Sequence, residues 1–448
     1  MDPNISASAL GEPHHLGIGF YLLPFATFLC FLAPVLYIFP PIPATTSDAL
    51  RSTHTKIGVS PPKSNLRDQY SAKADSGSTS NAGTGTGPVA RVKALCVYPI
   101  KSCRGIEVTR SKLLPTGLEF DRLYTFAQLK SRFPAAVDDS AEAKDEHTWE
   151  FVTQRQFPLL ATVKVDVYVP DATKSTVFME KSSDAWIVMR FPWREPGFRG
   201  TMSWVASKIR DGWRGQPEME VLLPVEFPTD AEIAERGYTR EDVKVWKEVV
   251  PALNMEKELP GELCRYLGVS NKLALFRVDP GQLREVYRCA PRKEEAGYQP
   301  IVGFQDADFD AKVPKDDELK HLDVRRFRSN IIVSDAPAYD EESWKWVNFT
   351  QGTSKVTVPA KFQVSCRTVR CKMPNVDPVT GVRHGAEPDR SLRKLRDVDE
   401  GAPRMGCLGM QMCPLFEGTD RVEYMQAWLE VGMDVSVLER GDHVYIKQ

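Results

Sequence analysis

The distribution of charged and apolar positions divides the chain into three parts. Residues 16–39 form a run of 24 positions without a charged residue. As a helix this run would be about 36 Å long, enough to cross a bilayer core of roughly 30 Å. Residues 40–89 are rich in Pro, Ser, Thr, Gly and Ala, which is typical of a flexible linker. We therefore predict a short tail over 1–15, a transmembrane helix over 16–39, a linker over 40–89 and a globular body beyond it.

The charges around the apolar run predict its orientation. Residues 1–15 contain no Lys or Arg, whereas Arg51, Lys56, Lys63, Arg67 and Lys73 follow the run. The positive-inside bias then places the C-terminal side in the cytosol. A cleaved signal peptide is the alternative, but the run is long for one and lacks a basic start. The missing Arg-rich amphipathic start also argues against a mitochondrial matrix presequence.

Short alternating segments dominate the remaining chain. Alternation of apolar and polar residues predicts strands over 92–100, 160–169, 185–191, 218–223, 273–278, 330–333, 360–364 and 435–438. We predict short helices over 260–268, with Pro near its start and Gly at its end, and over 424–429. Strands with few helices indicate a mainly β body, barrel-like, with helices at its edges.

Composition narrows the classes of function. A chain of 448 residues with 42% hydrophobic and 26% charged residues can form two or three domains with sizeable cores. A net charge of −2 gives no general attraction to nucleic acid. Nine scattered cysteines do not resemble a disulfide framework. A reducing compartment follows, in which a functional cysteine would be a metal ligand or a nucleophile.

Cys371 is the cysteine with the most distinctive surroundings. Arg367, Arg370 and Lys372 flank it, and cations favour the thiolate, a soft ligand for transition metals. The following Val376-Asp377-Pro378-Val379-Thr380-Gly381 is typical of a tight turn. A buried thiol without function remains an alternative. A zinc site made of the pairs Cys366/Cys371 and Cys407/Cys413 is another, although the spacing of the second pair does not suit zinc.

Three polar segments adjoin predicted strands. They are Lys101-Ser102-Cys103, Thr153-Gln154-Arg155-Gln156 and Arg325-Arg326-Phe327-Arg328-Ser329-Asn330. Lys and Ser at the end of a strand can bind a phosphate or an anionic ring. Each segment alone is more typical of an ordinary solvated surface.

Together these segments resemble the MOSC-domain proteins, and within them the amidoxime-reducing-component group. The similar residues occur in order from about residue 92 to the C-terminus. They are Val97 to Cys103, Gly117 with Asp121-Arg122, Thr153 to Gln156, Arg326 to Asn330, and Arg370-Cys371 with Val376-Asp377-Pro378 and Gly381.

The resemblance implies a fold, a cofactor and its ligands. The fold would be a β-rich MOSC N-terminal domain over 90–280 followed by a MOSC β-barrel over 281–448. The cofactor would be the molybdenum cofactor, Mo-molybdopterin, with Cys371 as molybdenum ligand and catalytic centre. Its pterin and phosphate would be held by Lys101, Ser102, Arg155, Arg328, Asn330 and Arg370.

The resemblance also implies an activity and partners. The activity would be two-electron reduction of N-hydroxylated substrates, with electrons from cytochrome b5 and NADH-cytochrome b5 reductase. No Gly-x-Gly-x-x-Gly follows a strand here, so the redox partners would be separate proteins. The expected location is the outer mitochondrial membrane rather than the endoplasmic reticulum, with no nucleic-acid partner.

Two other functions remain open. One is a MOSC protein that binds the molybdenum cofactor or carries sulfur without reductase turnover. The other is a structural β protein with a membrane tether and an incidental thiol.

Two segments differ from the family pattern. The run 298–307 lacks the serines that the family shows before the Arg-x-Asn element, so its cofactor contacts are open. The run 383–412 is unusually rich in Arg and Gly. Six of its residues could bind an acidic haem partner or simply be solvated: Arg383, His384, Arg390, Arg393, Lys394 and Arg396.

Overall fold

The computed structural model describes eleven segments of the chain. They are residues 18–38, 45–69, 90–131, 147–174, 184–246, 248–286, 289–298, 300–304, 322–350, 359–416 and 425–446. The predicted tail over 1–15 and much of the predicted linker lie outside them. The described residues fall into two compact units, one made of 18–38 with 194–217 and one made of the rest.

Strands outnumber helices in these segments, as the sequence predicts. The helices are α1 (Ile18–Ile38), α2 (Thr46–Leu50), α3 (Gly197–Asp211), α4 (Asp230–Arg236), α5 (Gly261–Leu267), α6 (Lys293–Ala296) and α7 (Asp389–Leu395). The strands are β1 (His54–Lys56), β2 (Ala90–Val97), β3 (Ile106–Val108), β4 (Arg110–Leu114), β5 (Gly117–Leu118), β6 (Tyr124–Ser131), β7 (His147–Phe151), β8 (Lys164–Pro170), β9 (Trp186–Pro192), β10 (Glu218–Pro224), β11 (Thr239–Val245), β12 (Glu248–Asn254), β13 (Leu273–Val278), β14 (Arg284–Glu285), β15 (Ile301–Val302), β16 (Ile331–Ser334), β17 (Trp344–Thr350), β18 (Ala360–Val369), β19 (Cys407–Leu415), β20 (Ala427–Glu430) and β21 (Asp434–Arg440).

Helix α1 occupies most of the apolar run of the sequence. It has 21 residues, none of them charged, and includes Pro24 and Pro34. The prediction of a helix here is confirmed over 18–38. Across the described segments, however, no helix meets the combined length and apolarity of a membrane span. The transmembrane assignment of residues 16–39 is therefore unsupported.

A closed five-stranded barrel lies in the second unit. Its strand order is β11-β12-β13-β6-β7. All six residues of β13 are buried. Leu273 and Leu275 join the largest apolar cluster, whereas Ala274 and Phe276 join a second one on the other face. Alternate residues of a strand point to opposite faces, so β13 contributes to two cores at once.

A larger sheet joins distant parts of the chain. Its main order is β16-β2-β21-β17-β18-β19, with β3 added beside β2. Strand β2 opens the predicted N-terminal domain, yet it pairs with β16 and β21 from the predicted MOSC domain. The predicted boundary between residues 280 and 281 stays a prediction, but the sheet draws strands from both of its sides.

Four predicted elements differ from the observed ones. The strand predicted over 92–100 is β2, which ends at Val97. The predicted helix over 424–429 is wrong, because Ala427–Glu430 is strand β20, paired with β4. Ala427 and Leu429 are buried, whereas the guanidinium of Arg110 lies 3.9 Å from the centre of the Trp428 ring. The side chains therefore alternate between two faces, as in a strand. The strand predicted over 160–169 begins only at β8, since Pro158–Thr162 is a 3-10 helix. Strand β18 continues beyond its predicted end to Val369.

Candidate active site

Cys371 lies where strand β18 gives way to a short 3-10 helix, Met373–Asn375. Its side chain is partly buried. The sulfur accepts a hydrogen bond from the backbone N–H of Met373 at 3.3 Å. A cysteine sulfur that accepts an N–H bond at the end of a strand is oriented to act as a ligand.

The turn after Cys371 is built around Asp377. Its Oδ1 accepts the backbone N–H groups of Val379 (2.9 Å) and Thr380 (2.8 Å). Its Oδ2 accepts from the buried guanidinium of Arg326 at 2.7 Å. Burial by itself would raise the pKa of Asp377, but the Thr380 and Val379 N–H groups and Arg326 outweigh it and lower the pKa. Gly381 ends the turn with φ +70°, a conformation that favours glycine.

Arg370 is a partly buried cation next to Cys371. Its Nε donates to the carbonyl of Leu408 at 2.8 Å, and its Nη1 donates to the carbonyl of Phe327 at 2.9 Å. Burial lowers the pKa of Arg370 to about 10, against the opposing effect of the Cys371 sulfur. The guanidinium therefore remains charged at neutral pH and offers positive charge beside the cysteine.

Lys101 and Ser102 lie just after strand β2 and are almost completely buried, at 2% and 1% exposure. The Lys101 ammonium donates to the carbonyl of Phe304 and lies 4.9 Å from the centre of the Phe151 ring. Ser102 has φ +68°, so its backbone takes a left-handed turn. Its Oγ is buried and has no hydrogen-bond partner among the described residues. A hydroxyl in this state is poised to bond with a ligand.

Arg328 and Asn330 immediately precede strand β16. Since β16 runs antiparallel to β2, the start of one strand lies beside the end of the other. The Arg328 Nη1 donates to the carbonyl of Cys103 at 2.6 Å, and its guanidinium lies 4.2 Å over the Tyr98 ring. Its Nη2 is buried and unpartnered within the described segments. Asn330 donates to the carbonyl of Cys96 at 2.9 Å. Burial lowers the pKa of Arg328.

Arg155 contacts a pair of aromatic side chains, Trp246 and Phe151, through the Trp246 ring. Its guanidinium lies 4.2 Å from the centre of the Trp246 ring, and Trp246 packs edge-on against Phe151 with 5.1 Å between centres. The Phe151 ring also contacts the ammonium group of Lys101. Two cations from different segments thus contact one pair of rings that pack edge to face.

Contacts link all seven predicted site residues into one group within the second unit. Neighbouring Gln154 donates from Nε2 to the carbonyl of Met373 at 3.4 Å, which connects the Arg155 segment to Cys371. Arg370 binds Phe327, the residue before Arg328. The structure therefore brings Cys371, Lys101, Ser102, Arg155, Arg328, Asn330 and Arg370 together. Their roles as cofactor ligands stay predictions.

Arg122 belongs to the same group and was assigned no role from the sequence. It has φ +54° and pairs with Asp121. Its guanidinium donates to Asn330 Oδ1 at 3.0 Å and to the carbonyl of Arg328 at 3.3 Å. The Asp121-Arg122 dipeptide stands in one of the motifs, so the signal was present. The interaction with Asn330 depends on a contact across 208 residues of chain.

The two segments that differ from the family pattern also meet this group. Phe304, in the altered run 298–307, supplies the carbonyl that binds Lys101; Gln299 and residues 305–307 lie outside the described segments. In the basic run, Arg383 donates to the carbonyl of Arg155 at 2.7 Å. Arg393 pairs with Asp389, and Arg396 pairs with Glu342. These three arginines are therefore held by contacts within the chain.

Cys366 and Cys407, two of the other cysteines considered for zinc, are placed differently from Cys371. Cys366 and Cys407 are buried in one apolar cluster, and Cys289 packs against it. A hydrogen bond with the Cys289 thiol raises the pKa of Cys366, and burial raises it further. Cys366 is thus a neutral thiol of the core.

The chemistry of the group fits an anionic cofactor. With Arg122 it combines five cationic side chains with two buried polar groups that have no partner among the described residues, the Ser102 hydroxyl and Arg328 Nη2. Phosphates and anionic rings are bound by converging donors of this kind. The partly buried sulfur of Cys371 would be the soft ligand that a molybdenum centre takes.

Comparison with known families identifies two domains. Residues 89–192 match the MOSC N-terminal beta barrel domain, and residues 300–441 match the MOSC domain. The two matches enclose all seven predicted site residues and Arg122.

Curated relatives are similar at low identity. The molybdenum cofactor sulfurase of Arabidopsis thaliana is 25% identical over 354 residues, which is 77% of this chain and 35% of that protein. The chain thus spans about a third of the sulfurase. The mitochondrial amidoxime-reducing component 1 of Mus musculus is 22% identical over 69% of this chain and 73% of its own length. The human protein of the same name is 21% identical over 69% and 73%. With both of its domains matched in order, this chain belongs to the MOSC-domain proteins and is similar to the mitochondrial amidoxime-reducing components.

Proposed function

We propose that this protein binds the molybdenum cofactor and reduces N-hydroxylated compounds. The observation that carries the proposal is the group of contacts around Cys371. Side chains from four distant segments meet there, and Ser102 Oγ and Arg328 Nη2 are buried without a partner among the described residues. Unpartnered buried polar groups destabilise a fold, so their presence in a cationic cluster supports a ligand that completes their hydrogen bonds.

Each residue has a distinct part in this proposal. Cys371 is the molybdenum ligand, and the Met373 N–H orients its sulfur. Lys101, Ser102 and Arg328 hold the phosphate end of the cofactor, since Lys101 is 2% exposed and Ser102 Oγ and Arg328 Nη2 are buried without a partner among the described residues. Arg155 and Arg370 balance the negative charge of the remainder. Arg122 acts indirectly, by fixing Asn330 and the backbone of Arg328.

The chemistry requires two electrons. When bound, the molybdenum centre would supply the two-electron redox chemistry. Reduction of an N-hydroxylated compound breaks its N–O bond, consumes two electrons and two protons, and releases water. Arg370 stays charged at neutral pH and stabilises negative charge that develops beside Cys371.

Electrons are proposed to come from cytochrome b5, reduced by its NADH-dependent reductase. Similarity to proteins named mitochondrial amidoxime-reducing components supports the reductase activity and a mitochondrial location. The sulfurase relatives instead support cofactor handling without this turnover.

Metal and pterin content tests the cofactor assignment. The full chain is purified from a host that makes the molybdenum cofactor, and molybdenum and pterin are measured per mole of protein. We expect Cys371→Ser to lose molybdenum and Lys101→Met to lose at least about tenfold in pterin, because a charge-assisted contact to phosphate is removed. Cys264→Ser, a partly buried cysteine of α5, is the matched control and should keep both. Equal molybdenum in Cys371→Ser and the parent protein would refute the ligand assignment.

Turnover separates the reductase from a binding protein. Loaded protein is mixed with cytochrome b5, its reductase, NADH and benzamidoxime, and benzamidine is quantified. Product that depends on all components supports the reductase. Full cofactor occupancy with no product would favour the MOSC binding or sulfur-carrier function.

A further inference from the structure

The connection between β9 and β10 is much longer than these strands need. The two strands pair antiparallel with Pro192 opposite Glu218, a geometry that a short hairpin can close. Instead 25 residues separate them, numbers 193–217, and they include the 15-residue helix α3. This segment follows the end of the matched MOSC N-terminal domain at residue 192.

Helix α3 presents its large apolar side chains to solvent. Phe198, Met202, Val205 and Ile209 recur at helical spacing and fall within about 60° of arc. Phe198 is 80% exposed and Ile209 is 70% exposed. The opposite face carries the small residues Gly200 and Ser207, and both are buried. The amphipathic pattern is thus the reverse of that of an ordinary surface helix, which turns its large apolar residues inward.

Cations border this apolar stripe. Arg199 and Arg210 lie on one side of it and Lys208 on the other, each roughly 60–100° around the helix. Residues 194–217 contain five Lys or Arg and two Asp or Glu, a net charge of +3, whereas the whole chain has −2. Trp213, just beyond the helix, is 88% exposed. Aromatic rings of this kind are enriched where lipid headgroups meet water.

We propose that the stripe of α3, defined as Phe198, Met202, Val205 and Ile209 with its flanking cations, docks on the surface of an anionic phospholipid membrane. A helix with one apolar face, basic flanks and low overall hydrophobicity lies in the plane of the headgroups, apolar face downward. The cations then meet lipid phosphates and carboxylates, and Trp213 meets the interface. The positive charge favours this surface over a second copy of the chain, whose stripe would carry the same charge. The proposal is independent of the cofactor and of the reductase activity.

Vesicle binding with a local readout tests the proposal. Full-length protein is mixed with vesicles of phosphatidylcholine alone or with about one third phosphatidylserine, at low and high salt. Sedimentation gives the partition coefficient, and hydrogen–deuterium exchange follows residues 194–217. Exchange in this segment should slow with the anionic vesicles, and the effect should weaken at high salt, where surface charge is screened. The local readout separates α3 from any binding by α1, which is unchanged in every variant.

Three double variants distinguish the contribution of apolar burial to membrane binding from that of charge. Phe198→Ser with Ile209→Ser should weaken partitioning about tenfold or more for each side chain, because their apolar area is no longer buried. Arg199→Gln with Arg214→Gln, the latter an exposed cation next to Trp213, should weaken binding to anionic vesicles about fivefold for each charge and leave binding to neutral vesicles unchanged. Val249→Ser with Leu438→Ser removes two exposed apolar side chains elsewhere. This control should change binding to neither the anionic nor the neutral vesicles.

Two outcomes would overturn the proposal. One is unchanged exchange in 194–217 with anionic vesicles present. The other is slowed exchange that appears without lipid as protein concentration rises, since that would assign the stripe to self-association.

Discussion

Asp377 connects the turn after Cys371 to a buried cation. Arg326 is 7% exposed, and its partner carboxylate accepts two backbone N–H groups as well. The pKa of Asp377 is lowered in the fold, so its contribution to stability is complete above the unfolded pKa of about 3.9 and is lost as pH falls through the folded value.

Replacing this carboxylate should therefore have a pH-dependent effect. Asp377→Asn keeps a side-chain oxygen for the turn but leaves Arg326 without its counter-charge. We expect a loss of about 3 kcal/mol in the free energy of unfolding at pH 7. The difference from the parent protein should stay constant down to about pH 5 and shrink below about pH 4. Urea unfolding at several pH values measures this difference. Asp230 forms an exposed ion pair with Arg240 and is the control: Asp230→Asn should cost under about 1 kcal/mol. A difference as large at pH 3 as at pH 7 would contradict the assignment.

At the scale of elements, helix α7 approaches strand β19 at a glycine. A Cβ on Gly406 would lie 2.5 Å from the Leu392 Cβ and 2.6 Å from the Leu392 carbonyl carbon. The carbonyl of Gly406 also accepts the backbone N–H of Arg370 at 2.8 Å. The close contact between these elements thus helps to fix a residue of the candidate site.

Gly406→Ala should accordingly disturb both stability and the site. Forcing a methyl group against the α7 backbone should cost about 2 kcal/mol and lower the melting temperature. Cofactor content should fall too, because Arg370 moves with its backbone partner. Gly385→Ala is the matched control, since no atom of the described residues lies within 4 Å of its added Cβ. Calorimetry with metal analysis provides both readouts, and equal melting temperatures for the two variants would show that the contact is not needed.

At the scale of the molecule, strand β2 makes the two matched domains depend on each other. It lies between β16 and β21 in the sheet, and Lys101 and Ser102 follow its last residue, Val97, after the short segment 98–100. A fragment of residues 300–441 would retain the MOSC match but lose this strand. Its neighbours would then expose unpaired edges and the apolar side chains that β2 covers.

We expect the 300–441 fragment to lack cooperative unfolding. A fragment of residues 45–448 should show a sharp thermal transition, because it keeps β2 and both matched domains. Differential scanning calorimetry and near-ultraviolet circular dichroism compare the two. A single cooperative transition in the shorter fragment would mean that β2 is dispensable for the sheet.

Local patterns in the sequence predicted eight of the 21 strands of the described residues, and none of their partners. Strand β13 and helix α5 were predicted correctly, because apolar period and the Pro and Gly at the helix ends are local signals. The helix predicted over 424–429 failed, because pairing with β4 outweighed the intrinsic preference of so short a segment. The sequence did not predict the burial of Arg326 or the role of Arg122, because both depend on residues far away in the chain.

The sequence by itself determined the chemistry available to this protein. The ordered motifs name the cysteine, the cations and the family, because residue type and spacing are written in the chain. Only the tertiary structure decided which of these groups meet, which are buried, and which remain unpartnered. Pairing of β2 with β16 brings Cys103, the residue after Ser102, into hydrogen-bond contact with Arg328 across more than two hundred residues. Burial then turns ordinary polar side chains into a site, because donors removed from water require a partner that a ligand can supply.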